Sequence, residues 1–68
     1  MKVVVNGAET ELADGATVEA ALRELDVPAP TRGVAVAVDA EVVPRGSWAA
    51  HELQEGARIE ILRAIQGG

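Results

Sequence analysis

One segment of the chain has helical periodicity, and the other apolar segments are short and have the composition of β-strands. Val18, Leu22 and Leu25 recur at i, i+4 and i+7, and Thr17 precedes them as the predicted N-cap. Two prolines within residues 26–30 end this helix after two to three turns. A single short helix has only one apolar stripe to bury, so it must cover one face of one sheet. The sequence therefore predicts an α+β domain of two layers.

Short strands are predicted on both sides of the helix. Asn6-Gly7 favours a tight hairpin between the first two strands, and the second is polar enough to be an edge strand. Pro44 ends the fourth strand and suits an edge. Ser47 is predicted to cap a single turn that carries Trp48. The five predicted strands are 3–5, 9–12, 33–39, 42–43 and 58–65.

Alternation in the third strand distinguishes the two faces of the sheet. Valines occupy one face, while Ala35 and Ala37 occupy the other. In the first and last strands the same parity places Val4 and Leu62 on the face away from the helix. These two side chains, with the small alanines between them, are predicted to form an exposed apolar patch that binds a partner. Ile65 is expected to anchor the chain as it leaves the domain.

Composition excludes several classes of function. The chain has 68 residues, no cysteine and a formal charge of −5, so thiol chemistry is absent and binding to nucleic acid or to an anionic membrane is disfavoured. No apolar run is long enough for a signal sequence or a membrane span, and a cytoplasmic location is expected. The length supports one domain, residues 1–65, followed by a flexible tail, residues 66–68.

Catalytic and metal-binding groups are not predicted. His51 is the only histidine, and Ser47 lies near it in sequence without an orienting acid. Glu9 and Glu11 fall on one side of a strand and are interpreted as a solvated face. An enzyme is not expected, and neither is a bound cofactor.

The Gly67-Gly68 end is the feature that suggests a function. Without Cβ atoms these residues can enter a narrow channel in another protein, where the α-carboxylate of Gly68 would be the reactive group. This chain has no groups to activate that carboxylate, so a partner enzyme would do so. From this feature alone, a frayed end or a cloning remnant stays an alternative.

Short motifs along the whole chain carry a resemblance to a known family. They are Asn6-Gly7, the helix pattern, residues 35–38 and 42–45, Trp48, Leu53, Glu55-Gly56, residues 59–61, and the Ala64-Ile65-Gln66-Gly67-Gly68 end. On these motifs the chain resembles the ThiS family, the sulfur carriers of thiamine biosynthesis, which have the ubiquitin-like β-grasp fold. Asp39 and Ala57 depart from the family pattern, in which Asn and Asp are usual. The resemblance implies a mixed sheet of four to five strands, covered on one face by one helix.

The resemblance also implies a reaction sequence. An E1-like adenylyltransferase of the ThiF type would use ATP and magnesium to adenylate Gly68, while Gly67 keeps the approach unhindered. Sulfur from a cysteine desulfurase would then give a thiocarboxylate, which a thiazole synthase of the ThiG type would accept. Val4, Leu62, Ile65 and Gln66 are the expected partner-binding residues. The small subunit of molybdopterin synthase, a ubiquitin-like protein modifier and an inert β-grasp module remain alternatives.

Overall fold

The computed structural model describes residues 1–25 and 33–63. The elements are β1 (Lys2–Val5), β2 (Ala8–Glu11), α1 (Val18–Glu24), β3 (Val34–Val38), β4 (Glu41–Val43), a 3-10 turn (Arg45–Ser47) and β5 (Arg58–Arg63). The predicted order of elements is confirmed. These five strands form one sheet in the order β2-β1-β5-β3-β4, in which β1 and β5 are parallel and the other neighbours are antiparallel. The domain boundary at residue 65 and the prolines after the helix lie outside the described residues.

The first hairpin is closed by the predicted two-residue turn. Asn6 and Gly7 have φ angles of 49° and 83°, the positive values that a type I′ turn requires at both central positions. Ala8 therefore pairs directly with Val5. As a result, β2 begins and ends one residue earlier than predicted, and it is an edge strand as expected.

The second hairpin, between β3 and β4, also has a two-residue turn. Asp39 and Ala40 have φ angles of 50° and 70°. Gly33, at the other end of β3, has a φ of 72°. Left-handed backbone cannot continue a strand, so β3 is shorter at both ends than the predicted 33–39.

The core lies between α1 and one face of the sheet. Val18, Ala21 and Leu22 are the buried residues of the helix, which confirms the apolar stripe predicted from the sequence. Val3 and Val36 have no exposed surface on the facing sheet. The other buried apolar residues are Val5, Leu12, Val38, Val43, Trp48, Leu53, Ala57 and Ile59.

The segment between β4 and β5 supports the first turn of the helix. The first N–H groups of a helix have no partner within it, and here they are satisfied from outside. The N–H of Val18 donates to the His51 carbonyl (2.9 Å), and that of Glu19 donates to the Trp48 carbonyl (3.1 Å). The hydroxyl of Thr17 accepts from the N–H of Ala20 (3.2 Å), so the predicted N-cap is confirmed.

A turn begins at Ser47, as predicted, because its carbonyl accepts from the N–H groups of Ala50 (3.1 Å) and His51 (2.9 Å). A 3-10 turn that was not predicted precedes it, after Pro44, and no side chain caps this turn. It is closed by the Pro44 carbonyl, which accepts from the N–H of Ser47 (2.8 Å). The buried Trp48 fixes the segment against the sheet, because its indole N–H donates to the Val43 carbonyl (2.9 Å).

Candidate functional site

The candidate reactive end begins where β5 ends. The last residue of the strand is Arg63, and Gly68 lies five positions further along the chain. Five residues span at most about 17 Å when fully extended. The predicted roles of Ile65, Gln66 and Gly67-Gly68 fall outside the described residues. What the structure does describe is the strand from which this end departs.

Four apolar residues form a continuous surface on the sheet face opposite α1. Leu62 is 64% exposed and pairs with Ala35, while Val42 is 74% exposed and pairs with Ala37. We call this surface, made of Ala35, Ala37, Val42 and Leu62, the open-face patch. Sequence reasoning missed Val42. Its parity relative to the buried Val43 was the available signal, because neighbouring residues of a strand point to opposite faces.

Val4 lies on the open face but does not join the open-face patch. It is half-buried and pairs with Arg58, whereas Leu62 is four residues further along β5. That separation is about 13 Å along the strand, and it contains Glu60. The prediction that the small alanines lie between Val4 and Leu62 is wrong, because β5 separates β1 from β3.

Two turn residues bind the backbone of β5 with their side chains. The Asn6 Oδ1 accepts from the N–H of Ile61 (2.9 Å), and its Nδ2 donates to the Ile61 carbonyl (3.3 Å). On the other side, the Asp39 Oδ1 accepts from the N–H of Arg58 (3.0 Å), and the N–H of Asp39 donates to the Arg58 carbonyl (2.7 Å). Asp39 serves here in place of the family's usual Asn because its side chain acts only as an acceptor.

Charged contacts hold the start of β1, at the opposite end of the sheet from Ile61. The Met1 ammonium group donates to the Leu12 carbonyl (2.6 Å) and lies 3.0 Å from Asp14 and 3.2 Å from Glu11. Hydrogen bonding to Asp14, and then to Glu11, raises the pKa of the Met1 amino group. This cluster stabilises the end of the sheet opposite Ile61.

Ser47 and His51, the two residues considered for catalysis, contact each other through the backbone. Ser47 is exposed, and its carbonyl accepts from the N–H of the half-buried His51 (2.9 Å). Within residues 1–25 and 33–63, no group of three or more histidine, aspartate or glutamate side chains is arranged to hold a metal ion. In the same part of the chain, no helix has the length and apolar character to cross a bilayer.

The order of the strands in the mixed sheet and the position of α1 over one of its faces define a ubiquitin-like β-grasp protein. A sequence model of the ThiS family matches residues 3–68, and the chain belongs to that family. The crystal structure of the thiamine biosynthesis protein ThiS from Geobacter metallireducens is similar over the whole of both chains, with 30% identity and a TM-score of 0.83. A solution structure of a thiamine biosynthesis protein from the same organism gives a TM-score of 0.81 at 28% identity, over 100% of this chain and 88% of that one.

Two relatives give further information on this family membership. The sulfur carrier protein ThiS of Escherichia coli K12 is 35% identical over the full length of both chains. A thiazole synthase of Paramagnetospirillum magneticum is 43% identical over all 68 residues, but the chain spans only 20% of that protein's length. A segment similar to the entire β-grasp domain therefore occurs within a much longer thiazole synthase.

Proposed function

We propose that this chain is a sulfur carrier of thiamine biosynthesis that bears its sulfur as a thiocarboxylate on Gly68. The observation that carries the proposal is the match over the whole chain to a sulfur carrier protein of the same length. The match of the family model extends to residue 68 and so includes the Gly67-Gly68 end. A carrier of this kind is a substrate of other enzymes and needs no catalytic groups of its own.

The chemistry takes place at the α-carboxylate of Gly68. A partner adenylyltransferase of the E1-like type joins this carboxylate to the α-phosphate of ATP, with magnesium as counterion, and pyrophosphate leaves. The terminal sulfur of a persulfide, formed from cysteine on a desulfurase, then attacks the activated carbonyl, and AMP departs with the former carboxylate oxygen. A thiol reductant cleaves the S–S bond of the resulting acyl disulfide and leaves the thiocarboxylate on Gly68. ATP and magnesium belong to the partner, so the carrier holds no resident cofactor. Gly67 keeps the backbone slim as it enters the partner's active site.

Thiazole synthase is the proposed acceptor of the sulfur. Support comes from the Paramagnetospirillum thiazole synthase, in which a segment similar to this chain belongs to the same polypeptide. Such a covalent connection would hold a carrier near its acceptor at a high effective concentration. A carrier that is not joined to its acceptor in this way must reach it by diffusion, which makes a recognition surface necessary.

An intact-mass measurement tests the carrier function. The chain is incubated with a cysteine desulfurase, an adenylyltransferase of this family, cysteine, a thiol reductant, ATP and magnesium. We expect a mass increase equal to the exchange of one oxygen for sulfur, and no increase in a variant that lacks Gly68. An unchanged mass would refute the proposal if the Escherichia coli carrier is converted by the same enzymes. Adducts with lysines of other proteins would indicate a protein modifier instead.

The open-face patch is the proposed docking surface for the adenylyltransferase. Leu62 is its most C-terminal member and lies six positions from Gly68, so a protein bound there would be close to the reactive end. An exposed leucine and an exposed valine, joined across β3 by two alanines, form an apolar surface of the kind that is typical of an interaction site. Leu62→Asp should lower the rate of thiocarboxylate formation about tenfold, since a central apolar contact contributes more than 1 kcal/mol of binding free energy.

A matched substitution controls for added charge. Ala8→Asp places the same charge at an exposed position on β2, at the other edge of the sheet order. We expect this variant to be converted at the rate of the unmodified chain. Equal rates for Leu62→Asp and Ala8→Asp would exclude the open-face patch as the docking surface.

A further inference from the structure

The side chain of Asn6 binds β5 at a position where β1 no longer pairs with it. Pairing of β1 with β5 stops at Val5 and Ile59, since the chain then turns away. The side chain of Asn6 extends the ladder by one step, because its amide binds both the N–H and the carbonyl of Ile61. An amide has the same donor and acceptor as a peptide group, so Asn6 replaces a strand residue that the hairpin turn has removed.

Beyond Ile61, the strand has a neighbour on one side only. Leu62 and Arg63 pair with β3 and have no β1 residue opposite them. The contacts of Asn6 are therefore the last described support on the β1 side before the chain continues to Gly68. Their loss would leave Ile61 held on one side only, and an edge with free N–H groups opens more readily.

We propose that Asn6 is a positioning residue for the Gly68 carboxylate, an inference that rests on the proposed carrier function. By binding Ile61, the side chain restrains β5 on the β1 side, two residues before the last strand position, Arg63, which pairs with Val34 of β3. The chain beyond Arg63 reaches at most about 17 Å, so the position of the end of β5 limits where Gly68 can arrive in a partner's active site. Asn6 itself touches no reacting atom and acts through the strand.

The chain offers a matched control at the other end of β5. Asp39 has nearly the same φ as Asn6, 50° against 49°, and is likewise exposed. Its side chain binds Arg58, at the start of the strand, and not Ile61. Asn6→Gly and Asp39→Gly each keep a residue that accepts positive φ. The first removes two side-chain hydrogen bonds to the β5 backbone, and the second removes one. Only the first change affects the end that leads to Gly68.

The test measures hydrogen exchange and steady-state adenylation for both variants. In Asn6→Gly we expect the Ile61 amide to exchange at least about tenfold faster, and the KM for the carrier to rise about five- to tenfold while kcat stays within about twofold. In Asp39→Gly we expect faster exchange at Arg58 and a KM within about twofold of the unmodified value. Asn6→Asp, which keeps the acceptor for the Ile61 N–H, should have an intermediate KM.

The outcomes separate this inference from the proposed function. Equal KM values for Asn6→Gly and Asp39→Gly would overturn the positioning role, as would an unchanged KM in Asn6→Gly despite faster exchange at Ile61. Either result leaves the carrier function intact, provided that the unmodified chain is converted. An unmodified chain that the adenylyltransferase does not convert would refute the carrier function and the positioning role together.

Discussion

Replacing Ala40 with glycine should stabilise the protein. Ala40 is an exposed residue of the turn between β3 and β4, and its φ is 70°. In this conformation the Cβ atom crowds the following carbonyl oxygen, at a cost of roughly 1–2 kcal/mol for a residue other than glycine. Glycine removes that cost but increases the conformational entropy of the unfolded chain, which is worth about 0.4–1 kcal/mol.

The difference between these two effects gives the expected magnitude. Ala40→Gly should raise the free energy of unfolding by about 0.5–1 kcal/mol, because the exposed methyl group contributes little burial. In a domain of this size that corresponds to an increase in Tm of about 2–8 °C. Urea titration is the suitable assay, since the single, buried Trp48 reports the loss of tertiary structure by its fluorescence.

Ala13→Gly is the matched control. Ala13 is also exposed, but its φ lies outside the left-handed region. Glycine at this position relieves no strain, so we expect it to lower the free energy of unfolding by up to about 1 kcal/mol. If Ala40→Gly destabilises the protein as much as Ala13→Gly does, the strain argument is refuted.

Two further predictions concern the core and the amino terminus. Trp48→Phe removes the indole N–H that donates to Val43 and leaves part of a buried site unfilled. The free energy of unfolding should therefore fall by about 2 kcal/mol. Urea titrations monitored by circular dichroism measure this change. The contacts of the Met1 ammonium with Asp14 and Glu11 raise its pKa above 8.0, so their stabilisation is complete below that pH and is lost as the pH rises through the folded pKa. For a chain with a free amino group at Met1, urea titrations at neutral and alkaline pH should show this decline.

Specific results would contradict these two expectations. A Trp48→Phe variant as stable as the unmodified chain would show that neither the hydrogen bond nor the filled volume matters. For the amino terminus, the informative variant combines Asp14→Asn with Glu11→Gln, which removes both carboxylates near Met1. If stability declines above pH 8.0 as steeply in this variant as in the unmodified chain, another group causes the pH dependence.

Local sequence patterns were sufficient for the elements and their order. The spacing of Val18 and Leu22 predicts the helix and its buried stripe, since helical periodicity is a property of neighbouring residues. Asn6-Gly7 predicts the first turn, because asparagine and glycine accept the positive φ angles that a two-residue hairpin turn requires. The resemblance to the ThiS family was also present in the sequence, and the comparisons confirm it.

Which residues form the open-face patch depends on how distant segments of the chain pair in the sheet. The register of β1 against β5 separates Val4 from Leu62, and the place of β4 beside β3 adds Val42 to the patch. Strand parity tells which face a residue occupies, but it does not tell which strand lies beside it.

The sequence by itself determined the helix, the first hairpin turn and the candidate reactive Gly68, because each of these depends on residues that are close together in the chain. It also determined the family, because the family's motifs recur along the chain in a fixed order. Only the tertiary structure decided what surrounds the strand that leads to Gly68. Asn6 and Ile61 are 55 positions apart, and their contact exists because β1 and β5 become parallel neighbours at the centre of the sheet. Pairing of this kind follows from the packing of the whole chain around one core, and no local pattern specifies it.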